Sequence, residues 1–583
     1  MKSIQVALCA ALAVGACGSA LALSPGEVVD NFRLLDQRGE SHELYYLSDM
    51  KAIVLMVQQN GCKDSNASIA GLNALRDQYK ERGVEVLMLN SSLKDDRAAI
   101  LAETTKLNTI IPVLDDELQL IGESLGATRA GEVLVINPVG WKLEYRGPLA
   151  SGSSNYAADA VQSLTTGQAV KTAEARAKGC AVRMPDLDAR RAHEKISYSK
   201  TIAPMLEDKC VSCHRTGGIG PWQMTSYEMV KGFAPMIREV LRTERMPPWH
   251  ADPHFGAFTN DRSLSNSQVK TLVHWIEAGA PKDKADDPLL AFKKDWPEWA
   301  HGKPDAVLEI PAFSVPASGT IAYQNPVVKN TIGRDVWVRA IDFTPGDRTV
   351  VHHILAYGTK PGGNPNDPQR ALKDSFLGGY VPGQATNVFP QDTGVFIPKD
   401  TDFRFQIHYT ATGKASTDVT HVALYFTDAA PKYPLKNVVL LNPRLKIPPN
   451  TKDHLETTAR TFDRDVLVYA LTAHSHYRGR ASKFVAYYPD GREETLLSVP
   501  KYDFNWQTAY ELKEPKVLPK GTRLVYTTIY DNSSQNKANP DPNIEVHWGE
   551  QTWEEMIYGN VRVRYLDETT EAAKAAMVSD PAH

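Results

Sequence analysis

Cysteine is scarce in this chain: six among 583 residues, and none after Cys213. A small fold stapled by many disulfides is excluded by that count. Charge of one sign is also lacking, because 65 basic and 69 acidic residues leave a formal net charge of -4. A polyanion-binding protein would carry a basic excess, so nucleic acid is not an expected partner. Beyond the first two dozen residues no stretch approaches the ~20 apolar residues of a transmembrane helix, and no internal repeat is visible. At 583 residues the chain is too long for a single core, so about three to five domains are expected.

The N-terminus carries Lys2, an apolar run from Ile4 to Ala22 and an Ala20-Leu21-Ala22 ending. This pattern reads as a signal peptide over residues 1–22 and implies export to the periplasm. Val14-Gly15-Ala16-Cys17 also resembles a lipobox, so anchoring through a lipidated Cys17 is the alternative. From 24 to 165 apolar strand runs such as Ala52–Val57 and Val84–Leu89 alternate with helical spacing, giving an α/β domain. An Ala-, Lys- and Arg-rich linker is expected over 166–193, and a helical domain over 194–284. Short alternating strands between Gly, Pro, Asn and Asp clusters come next, forming two all-β sandwiches at 300–440 and 441–566, with a polar tail at 567–583.

Cys210-Val211-Ser212-Cys213-His214 has the spacing of a c-type haem attachment sequence. Its thiols form thioethers to the haem vinyl groups and the adjoining imidazole ligates iron. A zinc site would need a second pair of ligands, and no second cysteine pair is present. Helices on either side make 194–284 an expected all-α cytochrome c domain. Met246, in a proline-bounded loop, is the expected sixth ligand, with His250, His254, Met224 and Met236 as alternatives.

Downstream lie His352-His353, His408, His474-Ser475-His476 and Met556. Imidazoles with one thioether suit copper. On a strand, positions 474 and 476 share a face. Adjacent His352 and His353 would point to opposite faces unless the strand carries a bulge.

The ordered set Val350-Val351-His352-His353-Ile354, Gln406-Ile407-His408-Tyr409, Ala473-His474-Ser475-His476 and Glu555-Met556 resembles the copper type II, ascorbate-dependent monooxygenases. The resemblance implies two jelly rolls and two copper ions. His352, His353 and His408 would hold the electron-transfer copper; His474, His476 and Met556 would hold the oxygen-binding, catalytic one. It also implies insertion of one oxygen atom of O2 into a C–H bond of an organic or peptide substrate. The external donor would be ascorbate, a quinol or a cytochrome, feeding electrons through the fused haem. Relatives that amidate peptides carry an arginine two residues before the His-x-His pair, where this chain has Thr472.

The α/β domain is similar to the thioredoxin and peroxiredoxin group, with Gly61-Cys62-Lys63-Asp64-Ser65 at the active-site turn. Ser65 stands where thioredoxins have their second thiol, and Ala130-Gly131 replaces the usual Thr-Pro. Cys62 and Cys180 are the candidate redox thiols, or a disulfide pair, in a fold that has otherwise lost its redox residues. Two further readings are a copper-binding or electron-transfer protein without hydroxylase activity, and a thiol peroxidase using Cys62.

Overall fold

The computed structural model describes residues 23–362, 375–384 and 386–571. The signal-peptide stretch, Cys17 and most of the tail lie outside the described residues. Among the described residues no helix is long and apolar enough to cross a membrane. The chain divides into two compact units, the first ending in sequence at Asp188 and the second running from Ala189 and including Gly39–Ser41.

The first unit is a five-stranded sheet in the order Val113–Asp115, Val84–Asn90, Ala52–Val57, Glu132–Asn137, Lys142–Pro148. The first three strands run parallel and the last two antiparallel. Ala52–Val57 is buried at every position because helices and loops cover both faces, and this explains its unbroken apolar run. The Lys63–Tyr79 helix presents Ile69, Leu72, Leu75 and Tyr79 to one core. Cys62 is the residue before this helix and is joined to Cys180 by a disulfide.

The linker expected over 166–193 is in large part no linker. Residues up to Asp188 group with the first unit. Arg129 bridges Ala181, Arg146 bridges Glu174, and the Cys62–Cys180 bond pins the segment. Its polar composition reflects a strip of chain laid over a surface.

In the second unit, residues 198–291 hold short helices separated by long loops, including Ala203–Lys209, Ala234–Arg242 and Asn266–Glu277. The last helix starts at Ser265 with a capping box closed by Gln268. This helical region is joined to the second of the β-sandwiches by main-chain hydrogen bonds. Asp252 N–H donates to Ser498 O, and Thr259 N–H donates to Glu511 O, each within 2.9 Å. Trp249, Phe258 and Tyr510 form one aromatic cluster.

Two antiparallel sandwiches complete the unit. In the first, Val327–Val328, Asp402–Tyr409, Val351–Thr359 and Ser375–Tyr380 form one sheet, facing a six-stranded sheet built around Val336–Thr344. In the second, Lys436–Leu441, Tyr558–Tyr565, Val466–His474 and Ala509–Leu518 face His454–Thr461, Arg523–Tyr530, Gly479–Tyr487 and Glu493–Val499. Each has its own apolar core. The boundary expected at 440/441 cuts a strand, since Lys436–Leu441 pairs with Tyr558–Tyr565 of the second sandwich.

Candidate metal centre

His352 and His353 lie at the start of the Val351–Thr359 strand, paired with Asp402–Tyr409, where His353 faces His408. The register slips between Val351 and His353. This irregularity lets two consecutive imidazoles turn toward one point, as adjacent ligands require. His352 Nδ1 lies 3.1 Å from His353 Nδ1 and 3.2 Å from His408 Nδ1. Two nitrogens each ~2.0–2.1 Å from one ion would stand roughly 3 Å apart, so the spacing fits a shared metal.

His474 ends the Val466–His474 strand, and His476 lies just beyond it in the turn. Their rings nevertheless sit 5.2 Å apart. Each Nδ1 is engaged: His474 Nδ1–H donates to Gln507 Oε1 (2.7 Å) and His476 Nδ1–H to Glu554 O (3.1 Å). The hydrogen bonds fix the tautomer and leave Nε2 as the lone-pair atom. His476 Nε2 is buried without a hydrogen-bond partner, an orphan that a metal would satisfy.

Met556 joins this group through Glu555. The Glu555 carboxylate is fully buried and accepts backbone N–H bonds from His476 (2.8 Å), Arg478 (2.6 Å) and Met556 (3.2 Å). His474 and Met556 line one cavity. Burial lifts the Glu555 carboxyl to about 7.

Two aromatic rings lie between the histidine groups. Phe504 stacks on His352 at 4.8 Å and meets His476 edge-on at 6.1 Å. Tyr323 contacts His353 at 5.4 Å, His408 at 5.0 Å and His476 at 6.3 Å. Gln507 also spans them, with Nε2 3.5 Å from His353 Nδ1. Burial holds His352 down at about 4, His408 at about 3 and His474 at about 4, and drives His353 and His476 well below the usual range. All five imidazoles are therefore neutral at pH 7, the form that binds metal. Phe504, Tyr323 and Gln507 belong to none of the histidine motifs, and the Glu555-Met556 pair does not by itself disclose that Glu555 holds the His476 turn.

In the helical region Cys210 and Cys213 are free thiols, both half-buried. His214 Nδ1–H donates to Trp222 O at 2.9 Å, again leaving Nε2 available. Gly220 packs so closely that a Cβ there would come within 2.7 Å of His214 Nδ1. Cys213 abuts the turn of the first sandwich at Gly383, where an added Cβ would sit 3.7 Å from its sulfur. Gly383 has φ +81°, a second reason for glycine. Met246 is half-buried; among its rivals Met224 is buried, Met236 is half-exposed, and His254 Nδ1 pairs with Asp252 at 3.0 Å.

Comparison with known proteins places two parts of the chain. Residues 25–146 match the AhpC/TSA family, and residues 435–558 match the copper type II ascorbate-dependent monooxygenase C-terminal domain. Mouse (Mus musculus) DBH-like monooxygenase protein 2 is 25% identical over 214 residues, 32% of this chain. The chain thus spans about a third (34%) of that relative's length. Among solved structures, hypothetical protein SMc02350 from Sinorhizobium meliloti 1021 is 19% identical (28% of this chain, 95% of that one, TM-score 0.26). Peroxidoxin BcpB from Mycobacterium tuberculosis is 17% identical (25% and 95%, TM-score 0.20). The chain thus joins a thioredoxin-like α/β domain to a β-rich region whose second sandwich is similar to the copper monooxygenase C-terminal domain.

Proposed function

We propose that this chain is a periplasmic copper-dependent monooxygenase fed by its own c-type haem. His352, His353 and His408 would hold the electron-transfer copper, and His474, His476 and Met556 the oxygen-binding one. Cys210, Cys213 and His214 would carry the haem, with Met246 as its second axial ligand. The observation that carries the reading is that ring nitrogens of His352, His353 and His408 lie within 4.8 Å of one another, while His474 and Met556 line one cavity and the neighbouring His476 Nε2 is buried without a partner.

When bound, the coppers and haem would supply one-electron steps and O2 activation, turning C–H into C–OH while the second oxygen atom, two electrons and two protons leave as water. The residues do the rest. Gln507 and the Glu554 carbonyl hold the protons of His474 and His476 on Nδ1. Glu555 ties the His476 turn to Met556. Phe504 and Tyr323 exclude water between the two imidazole groups. Cys213 lies in through-space contact with Gly383, and the next residue, Gln384, accepts at Oε1 from Ala509 N–H (3.4 Å), two residues from Gln507, so the route toward the histidines includes one van der Waals gap. Ascorbate, a quinol or a cytochrome would supply the electrons.

The thiol peroxidase reading has less support, since Cys62 is 3% exposed and bonded to Cys180. Metal analysis with haem staining tests the proposal: two coppers and one covalent haem per chain are expected, with one copper lost in His408→Ala or Met556→Ala. Reduced protein mixed with O2 should reoxidise its haem in a copper-dependent way. Equal reoxidation of copper-free protein would end the relay reading.

A further inference from the structure

The cavity beside His474 and Met556 opens to solvent, with about 100 Å³ reachable by the centre of a water molecule inside it. Its floor is set by two paired strands of the second sandwich, on which Tyr558 faces His474, Asn560 faces Thr472 and Arg562 faces Ala470. Alternate residues of a strand share a face, so all six look into the same space. The small Ala470 and Thr472 leave that space open. A register slip between Val468 and Ala470 turns positions 470, 472 and 474 away from the core that Val466 and Val468 enter.

Arg562 is the unexplained group on this floor. It is 8% exposed and, among the described residues, makes no side-chain hydrogen bond or ion pair. Its guanidinium lies 5.5 Å over the Phe389 ring, and the acid that acts on it through space is Glu511, near Thr259 Oγ1 at 3.4 Å. A buried cation with no partner is costly and is retained where something else completes it. Asn560, one pair nearer the histidines, has its Oδ1 buried without a partner. The cavity's own carboxylate, Glu550, acts on Tyr323 at the histidine end and does not neutralise Arg562.

We propose that this cavity binds an elongated organic carboxylate, its anion paired with Arg562 and its apolar far end presented to His474 and Met556. A guanidinium matches a carboxylate with two parallel hydrogen bonds, which favours this anion over a neutral amide. Ala470 and His474 are four residues apart, roughly 13 Å of strand at ~3.3 Å per residue. The ligand must therefore extend several carbons from its carboxylate, and any oxidation falls at the end remote from it. Which end reacts rests on the copper reading above; the anion site itself does not.

The test is calorimetric titration of the full chain, copper-loaded and copper-stripped, with ω-phenylalkanoates from phenylacetate to 8-phenyloctanoate, each beside its carboxamide. Longer acids should bind best and about 30-fold more tightly than their amides, as charge-assisted pairing implies. That preference should fall below about threefold in Arg562→Gln, survive in Arg562→Lys, and keep its sign in Asn560→Leu with weaker binding. Equal binding of acids and amides by the unaltered chain overturns the proposal, as does failure of every acid to bind or an unchanged preference in Arg562→Gln. Acid preference in a chain that takes up no copper would sink the oxygenase reading and keep this site.

Discussion

Replacing Glu555 with alanine should loosen one metal site and spare the other. The buried carboxylate accepts three backbone N–H groups, from His476, Arg478 and Met556. Hydrogen bonds to a charged group contribute about 1.5–3 kcal/mol each. Burial outweighs these bonds, since the carboxyl is lifted to about 7 with them in place. Glu555→Ala leaves three buried N–H donors unpaired, and at ~1–2 kcal/mol for each the loss should be about 3–6 kcal/mol. Because these bonds fix the turn carrying His476 beside Met556, copper affinity at that site should drop about 10–100-fold, the usual cost of removing a group that orients ligands. The His352, His353 and His408 group should keep its affinity. Urea denaturation of copper-free protein gives the first number, and competition with a chromophoric copper(I) chelator gives the second. An unchanged urea midpoint with two intact copper sites would refute the clamp. So would equal weakening of both sites.

Three further outcomes are expected. The native imidazoles of His352, His408 and His474 titrate at about 4, 3 and 4 against an ordinary 6.5. Below pH 6.5 the unfolded chain binds protons that the folded chain refuses, so copper-free protein should lose stability as pH falls toward about 4; thermal melts in His408→Asn should show a smaller loss. Gln507→Leu removes the acceptor of His474 Nδ1–H and should weaken copper binding about 10-fold or more, with an altered X-ray absorption edge. Cys62→Ser opens a bond between residues 118 apart and should cost the first unit about 5 kcal/mol by loop entropy, with faster tryptic cleavage at Lys178 and unchanged copper content.

The proposed ligand residues are legible because metal chemistry leaves dense local marks: paired histidines and Cys-x-x-Cys-His stand out in any sequence. Even the irregularity at His352 follows from elementary strand geometry. His476 is harder, since it lies past the strand end and reaches its place through Glu555, 79 residues away. Phe504, Tyr323 and Gln507 carry no motif at all. They act only because folding sets them between histidines remote in sequence. Arg562 is within reach of pattern reasoning, because Tyr558, Asn560 and Arg562 alternate on one strand with an apolar opposite face. The segment before Asp188 misleads because polarity marks an exposed surface, and a strip of chain pinned to a domain shares that mark with a tether.

Residues 180–182 have a consequence for the thioredoxin-like unit. Ala130 N–H donates to Cys180 O and Val182 N–H donates to Thr128 O, both at 2.9 Å, beside the start of the Lys63–Tyr79 helix. Those two main-chain bonds hold Cys180 against the 128–130 segment independently of its sulfur, so reducing the bond to Cys62 would leave the two thiols side by side and ready to close again.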